Sequence, residues 1–112
     1  MNPKIKVLVV DDSAFMRKVI ADFINTDPLL ELVGIARDGE DALVKVEEFK
    51  PDVITLDVEM PKMDGLRALE IIMEKQPTPV IMLSSLTQEG AEITINALDK
   101  GAVDFVQKPG GS

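Results

Sequence analysis

The segment Ile5–Ser13 reads IKVLVVDDS and indicates how this chain folds. Ile5–Val10 is a short, nearly continuous apolar run rich in β-branched residues, which is typical of a strand buried on both faces. Asp11 and Asp12 follow the run directly, and Asp12 or Ser13 can cap a helix that comes next. The segment therefore predicts a buried strand that leads into a helix, with acidic side chains at the turn.

The same strand-then-helix unit recurs along the chain. Apolar runs predict strands, helical spacing predicts helices, and Pro28, Pro51, Pro77 and Gly101 stop the helices. Strands are expected at 5–10, 30–36, 53–56, 80–83 and 103–106, and helices at 14–25, 38–50, 66–76 and 89–100. This alternation predicts an α/β fold, a flavodoxin-like doubly wound five-stranded parallel sheet of order 2-1-3-4-5. The helix expected after the fifth strand is missing from this chain.

Composition narrows the possible functions. The chain has 112 residues, enough for one domain, and its 12 basic and 20 acidic residues give a net charge of -8, which speaks against nucleic-acid binding. It has no Cys and no His, which excludes disulfides, thiolate and histidine metal sites, and Ser-His-Asp catalysis. No apolar run is long enough to span a membrane, and a cytoplasmic location is the expectation.

Polar side chains follow four of the five predicted strands. Asp11 and Asp12 follow the first strand, Asp57 the third, Ser84 the fourth and Lys108 the fifth. Ligands of open α/β sheets bind beyond the carboxyl ends of the strands, where the strand order reverses. Strands one and three are neighbours in the order 2-1-3-4-5, so three carboxylates should converge. Each residue alone has an ordinary explanation as a helix cap, a strand-end hydroxyl or a surface lysine, but the combination favours a site.

Three adjacent carboxylates repel one another, and a hard divalent cation with oxygen ligands relieves that repulsion. Mg²⁺ suits a site with few protein ligands. Lys108 can pair with phosphoryl oxygens, and the hydroxyl of Ser84 can donate a hydrogen bond to one. Cation, lysine and carboxylate nucleophile together describe phosphoryl transfer onto an aspartate.

With these residues in place, the chain resembles the receiver domains of two-component response regulators over essentially its whole length. Four motifs carry this resemblance: VLVVDDS at 7–13, DVITLDVEMPKMDG at 52–65, PVIMLSS at 79–85 and GAVDFVQKP at 101–109. A narrower likeness is to the regulatory domain of chemotaxis protein-glutamate methylesterases. It rests on DSAFMRK at 12–18, DVEMP at 57–61, SSLT at 84–87 and the KPGGS tail at 108–112.

The resemblance implies roles for the strand-end residues. Asp57 would be the phosphoacceptor, and Lys108 and Ser84 would contact the phosphoryl group. Ser84 and Phe105 would be the switch pair, although Phe105 lacks the hydroxyl of the Tyr that many relatives carry. The implied ligands of Mg²⁺ are Asp11, Asp12, Asp57 and the backbone carbonyl of Glu59.

The narrower likeness also implies partners. Residues 1–109 would form the receiver and 110–112 the start of a linker or tail, in a longer protein with a C-terminal methylesterase domain. The phosphoryl donor would be a sensor histidine kinase of chemotaxis. The chain has no His for a hydrolase triad, so any enzymatic activity of its own would be limited to self-phosphorylation and dephosphorylation. A phosphorylated receiver would relieve inhibition of the methylesterase domain.

Two further expectations concern the surface. In the fourth helix, Ala91, Ile95 and Leu98 fall on one side and are expected to point inward, which makes Ile93 an exposed partner contact. Without a fifth helix, part of the sheet beside the first helix should be bare, and the side chains that line it should be drawn from Val80, Met82, Val103 and Phe105 according to which way each faces. Self-association over this bare face is possible.

Three alternatives remain open at this point. An Mg²⁺-dependent phosphatase with an aspartate nucleophile carries a DxD motif, which Asp57-Val58-Glu59 matches poorly. A flavin carrier would share the fold, but two acidic residues after the first strand would repel a flavin phosphate. A stand-alone receiver could act by binding partners, with no phosphorylation.

Overall fold

Nine elements alternate along the chain in a computed structural model that describes residues 3–60, 63–84 and 88–108, without the side chains of 88–91 and 94. The strands are β1 (Ile5–Val10), β2 (Leu30–Ala36), β3 (Val53–Asp57), β4 (Val80–Ser84) and β5 (Asp104–Gln107). The helices are α1 (Ala14–Asn25), α2 (Gly39–Phe49), α3 (Gly65–Lys75) and α4 (Gln88–Asp99). The predicted elements are confirmed, with ends that differ by a residue or two.

The five strands form one parallel sheet of order β2-β1-β3-β4-β5, as predicted. β1 and β3 are therefore direct neighbours, and their carboxyl ends meet at the same edge of the sheet. β2 lies at one edge of the sheet, and its pairing with β1 shifts by one residue between Val7 and Leu8. This order is the reason that Asp11 and Asp57 can approach each other.

Helices cover the two faces of the sheet unequally. The larger apolar core lies under α2, α3 and α4 and includes Leu8, Ile54, Leu56, Val80 and Met82, all fully buried. A smaller core lies under α1, where Val7, Val9 and Leu83 of the sheet contact Ile20 and Ile24 of the helix. Four helices occur among the described residues, which agrees with the predicted lack of a fifth.

Three helices, α1, α2 and α3, start at side-chain caps that the sequence contains. Ser13, Asp38 and Asp64 each accept a hydrogen bond from the backbone N–H three residues later, at 3.2, 2.8 and 2.9 Å respectively. Such caps satisfy N–H groups that have no partner within the helix. Each of these three helices therefore begins at a defined residue soon after a strand or loop ends. This holds in place the loops at the carboxyl ends of the strands.

The predicted orientation of α4 is wrong. Ile93 packs against the larger core, whereas Ile95 and Leu98 are 60% and 39% exposed. Ala97, four residues after Ile93 and on the same side of the helix, is fully buried. The helix turns its smaller apolar face to the sheet, because Ala97 permits a close approach, and this removes the basis for Ile93 as a partner contact. The side chain of Ala91 lies outside the described part.

The residues predicted to line the bare sheet face need a correction as well. Val80 and Met82 are fully buried in the larger core, on the side that α3 and α4 cover. Val103 and Phe105 are exposed, at 60% and 48%. On the α1 side, the exposed neighbour of Leu83 is Val106, because residues paired in adjacent parallel strands point to the same face. Self-association over this face stays a prediction.

Among the described residues, every helix is too short or too polar to cross a bilayer.

The corrected orientation of α4 predicts opposite effects for two isoleucines in the same helix. Ile93→Ala should lower the free energy of unfolding by about 1–3 kcal/mol, because it removes a side chain that packs on the core. Ile95→Ala should change it by less than about 0.5 kcal/mol, because Ile95 is exposed. Urea unfolding of the two variants measures the difference, and a larger loss in Ile95→Ala would contradict this orientation.

Candidate functional site

Three carboxylates meet at the carboxyl ends of β1 and β3. Oxygen atoms of Asp11, Asp12 and Asp57 lie within 4.8 Å of one another. Asp11 and Asp57 are completely buried, and Asp12 is exposed. The predicted convergence is therefore confirmed, and the cluster opens to solvent on the side of Asp12.

Lys108 reaches into this cluster from the end of β5. Its Nζ lies 2.9 Å from Oδ1 of Asp57 and 3.6 Å from Oδ2 of Asp11. The lysine side chain is 18% exposed, so most of its length is covered by protein. Its backbone N–H donates to the carbonyl of Ser84 at 2.9 Å, which continues the pairing of β5 with β4 by one residue and aims the side chain inward.

Backbone contacts hold Asp11 in place from both sides. Its N–H donates to the carbonyl of Ala36 in β2 at 3.0 Å, and its Oδ1 accepts from the N–H of Ser13 at 2.9 Å. The guanidinium of Arg17 donates to the carbonyl of Asp11 at 2.8 Å. Arg17 could not be recognised from the sequence, because a contact between a side chain and a backbone carbonyl leaves no motif. The available signal in the sequence was that Arg17 lies six residues after Asp11, on the first turns of α1.

Asp57 is held by the residues that follow it. The N–H of Val58 donates to the carbonyl of Leu83 at 3.0 Å, so the strand pairing with β4 continues past Asp57. The N–H of Glu59 donates to Oδ1 of Asp57 at 3.1 Å. Oδ1 thus accepts from both Glu59 and Lys108, which fixes the rotation of the carboxylate.

Two oxygen atoms in the cluster have no hydrogen-bond partner in the part of the chain that the structure describes. Oδ2 of Asp11 and Oδ2 of Asp57 are buried and accept no hydrogen bond from the described residues. A buried carboxylate oxygen without a partner is unfavourable unless a cation or a donor approaches it. Together with the carboxylate of Asp12, these atoms form an all-oxygen donor set, which is the chemistry that Mg²⁺ prefers. The residues therefore fit a divalent cation.

Burial dominates the electrostatics of the two inner carboxylates. It raises the pKa of Asp57 to about 7, with a further rise from the charge of Asp11 and an opposing effect from the hydrogen bond of Lys108. Burial likewise raises the pKa of Asp11, against the hydrogen bond from Ser13 and the charge of Lys108. Burial alone would lower the pKa of Lys108, but its contact with Asp57 outweighs this and raises it. Lys108 is therefore charged, and one lysine does not neutralise the cluster.

The other residues that the sequence predicted for the site lie next to the cluster or away from it. Ser84 is buried at the end of β4, one residue beyond Leu83, which pairs with Asp57. Glu59 is exposed at the rim, two residues after Asp57. Phe105 lies in β5, three residues before Lys108, with its side chain half exposed. Ile93 lies against the core and is not part of the site.

The raised pKa of Asp57 predicts a pH dependence of stability in the absence of divalent cations. Between about pH 4 and 7 the folded protein holds a proton that the unfolded chain releases, so the free energy of unfolding falls as pH rises. Asp57→Asn lacks this proton, so it should gain stability relative to the wild type across the window, by up to about 4 kcal/mol. Urea unfolding in EDTA at several pH values measures it, and a constant difference would refute the prediction.

Comparison with known families supports the geometry. The profile of the family described as "Response regulator receiver domain" matches residues 7–112. The protein-glutamate methylesterase/protein-glutamine glutaminase of Pyrococcus horikoshii is 63% identical over 112 residues, which are 100% of this chain and 30% of that protein. The protein of the same name from Thermotoga maritima is 61% identical over 108 residues, 96% of this chain and 31% of that protein. The chain thus spans about a third of these relatives.

Solved structures agree with the sequence relatives. The crystal structure of the response regulator domain of Thermotoga maritima CheB has a TM-score of 0.89 and 60% identity, and the match covers 96% of this chain and 81% of that one. The CheX–CheY–BeF3–Mg²⁺ complex from Borrelia burgdorferi matches with a TM-score of 0.84 and 39% identity, over 96% and 80%. The likeness to regulatory domains of methylesterases is confirmed. Because the family profile spans nearly the whole chain and the fold matches solved receivers, this chain belongs to the response regulator receiver domain family.

Proposed function

We propose that this domain is a phosphorylation-dependent switch that accepts a phosphoryl group on Asp57 in an Mg²⁺-dependent reaction. The observation that carries the proposal is the 2.9 Å contact of Lys108 with Asp57 inside a cluster of three carboxylates. This arrangement provides a nucleophile, a cation for the incoming phosphoryl oxygens, and ligands for a metal ion. The Borrelia burgdorferi relative, whose complex contains BeF3 and Mg²⁺, supports the same chemistry here.

Transfer requires the ionised form of Asp57. A carboxylate oxygen of Asp57 forms a bond to phosphorus while the bond between phosphorus and the donor's nitrogen or oxygen breaks, and the donor atom keeps that electron pair. Lys108 would move its contact to the transferred phosphoryl oxygens, and the hydroxyl of Ser84 would donate to one of them. Asp11, Asp12, Asp57 and the carbonyl of Glu59 would hold Mg²⁺, which supplies positive charge for the carboxylates and the phosphoryl group.

The alternative functions fit the structure less well. A phosphatase with a DxD motif needs an aspartate two residues after the nucleophile, whereas Glu59 occupies that position and lies exposed at the rim. A flavin carrier would bring its phosphate to the end of β1, where Asp11 and Asp12 repel it. A stand-alone receiver that acts only by binding would not need a lysine buried against the acceptor carboxylate.

Incubation with acetyl phosphate and Mg²⁺ should add one phosphoryl group to the protein, observed by intact-mass analysis. Asp57→Asn should abolish the modification, because it replaces the acceptor oxygen. EDTA should prevent the modification of the wild type. Asp12→Ala should weaken Mg²⁺ binding, because it removes a charged ligand. Lys108→Ala should lower the rate of modification by at least about tenfold, because the buried cation is lost.

Asp22→Asn is the matched control for Asp57→Asn, since Asp22 lies on the outer surface of α1 in an exposed ion pair with Lys18. This variant should be modified like the wild type. A wild-type extent of modification in Asp57→Asn would refute Asp57 as the acceptor. Turnover of many donor molecules per protein, with no modified intermediate, would favour the phosphatase.

The partners follow from the relatives. The physiological donor would be the phosphohistidine of a sensor histidine kinase of chemotaxis, in the cytoplasm. In the longer proteins, phosphorylation would relieve inhibition of a C-terminal methylesterase domain that acts on receptor glutamates. The apolar side chains exposed on α4, on β5 and on the loop between them support a regulatory surface there: Ile95, Leu98, Val103 and Phe105. Phe105 would change its packing when Ser84 engages the phosphoryl group.

The regulatory surface is testable in a full-length methylesterase that contains this receiver. Ile95→Asp should raise the methylesterase activity of the unphosphorylated protein, because a charge on the surface disrupts an apolar interface. The receiver should still accept a phosphoryl group normally. Asp22→Asn, on the far side of the sheet, serves as the control, and equal activities in the two variants and the wild type would show that the surface lies elsewhere.

A further inference from the structure

Gly65, the first residue of α3, lies against the peptide bond that follows Asp57. A Cβ atom built on Gly65 would be 2.3 Å from the backbone oxygen of Asp57, 3.0 Å from Cα of Val58 and 3.1 Å from its oxygen. The N–H of Gly65 also donates to the carbonyl of Val58 at 3.1 Å. The start of α3 and the end of β3 are therefore in direct backbone contact at the site.

The need for glycine here is a need for space and not for an unusual backbone conformation. Gly101 is the glycine with positive φ among the described residues, and Gly65 has the ordinary backbone of a helix. Alanine would favour a helix by roughly 1 kcal/mol over glycine. The glycine therefore costs helix stability, and what it provides is the close approach of α3 to Asp57 and Val58.

Neither side of this contact can give way easily. Ala68 and Leu69 of α3 are fully buried, so the helix cannot move outward without opening the larger core. On the other side, the N–H of Val58 is bonded to Leu83 of β4. Real Cβ atoms essentially never approach closer than 3.0 Å, so a methyl group at Gly65 requires a displacement of about 0.7 Å.

We propose that Gly65 is a positioning residue that sets the geometry of the Asp57–Glu59 backbone for metal binding and phosphoryl transfer. This inference rests on the function proposed above. Mg²⁺ requires ligand distances near 2.1 Å in an octahedron, with a tolerance of about 0.2 Å. A displacement of 0.7 Å at the phosphoacceptor backbone exceeds that tolerance. It would also disturb the hydrogen bond from Glu59 to Oδ1 of Asp57.

The test compares Gly65→Ala with Gly34→Ala. A Cβ on Gly34 would lie 2.8 Å from the ring of Phe49, so this control variant also introduces a clash, but against a side chain and on the edge strand β2. The dissociation constant for Mg²⁺, measured by titration calorimetry and corrected for the folded fraction, should rise at least about tenfold in Gly65→Ala. It should stay within about twofold of the wild type in Gly34→Ala, even though Gly34→Ala lowers the unfolding temperature.

A value within about twofold of the wild type in Gly65→Ala would overturn the inference, and so would an equal loss of affinity in both variants. If the wild type binds no Mg²⁺ and accepts no phosphoryl group, the proposed function fails, which is a separate outcome. If Gly65→Ala does not fold, amide hydrogen exchange of the wild type decides. Because coupling is reciprocal, Mg²⁺ should slow exchange at Gly65 and leave Gly34 unchanged. An equal effect of Mg²⁺ on both amides would overturn the inference.

Discussion

The burial of Asp11 and Asp57 beside the carboxylate of Asp12, with too little positive charge around them, is the constraint on which the rest of this structure depends. Two of these carboxylates are fully buried, and burial penalises their charge before any neighbour is counted. Lys108 relieves part of this penalty through its contact with Asp57, but two carboxylate oxygens have no hydrogen-bond partner among the described residues. The site is thus short of positive charge, and both a divalent cation and a proton can supply it.

The parallel sheet creates this situation and also holds it in place. Its strand order sets β1 beside β3, so Asp11 and Asp57 leave the sheet at neighbouring points. Lys108 comes from β5, two strands away from β3, and reaches the cluster because its backbone pairs with Ser84 beyond the end of β5. Helix starts then fix the loops, through the cap of Ser13 on one side and the close contact of Gly65 on the other. A change at the cluster therefore acts directly on the strands and helices that hold it.

Much of this arrangement could be predicted from the sequence. Buried strands that end in polar residues, such as Val7–Val10 before Asp11, predict both the sheet and the convergence of side chains, because parallel strands have a common carboxyl edge. The orientation of α4 could not be predicted in the same way. Helical periodicity identifies two apolar sides, Ile95 with Leu98 and Ile93 with Ala97, and does not say which one meets the sheet.

Ile95 and Leu98 were expected to point inward. The structure instead buries the small Ala97 and leaves Ile95 and Leu98 exposed. The role of Gly65 also left no sequence signal beyond a helix start, because a backbone contact across the sheet edge is visible only in three dimensions. The directions in which the side chains of Val80 and Met82 point could not be predicted, for a related reason. A strand buried on both faces carries no polar alternation to show which side chains point where.

The most direct test of the carboxylate cluster is an NMR titration of the side-chain carboxyl carbons, with and without Mg²⁺. In the absence of Mg²⁺, we predict that Asp57 titrates with a pKa of about 7, far above the ordinary aspartate value of 3.8. With saturating Mg²⁺, its pKa should fall well below that value, because a bound cation favours the ionised carboxylate. An Asp57 that titrates with the ordinary aspartate pKa in both conditions would contradict the central claim that buried like charges define this site.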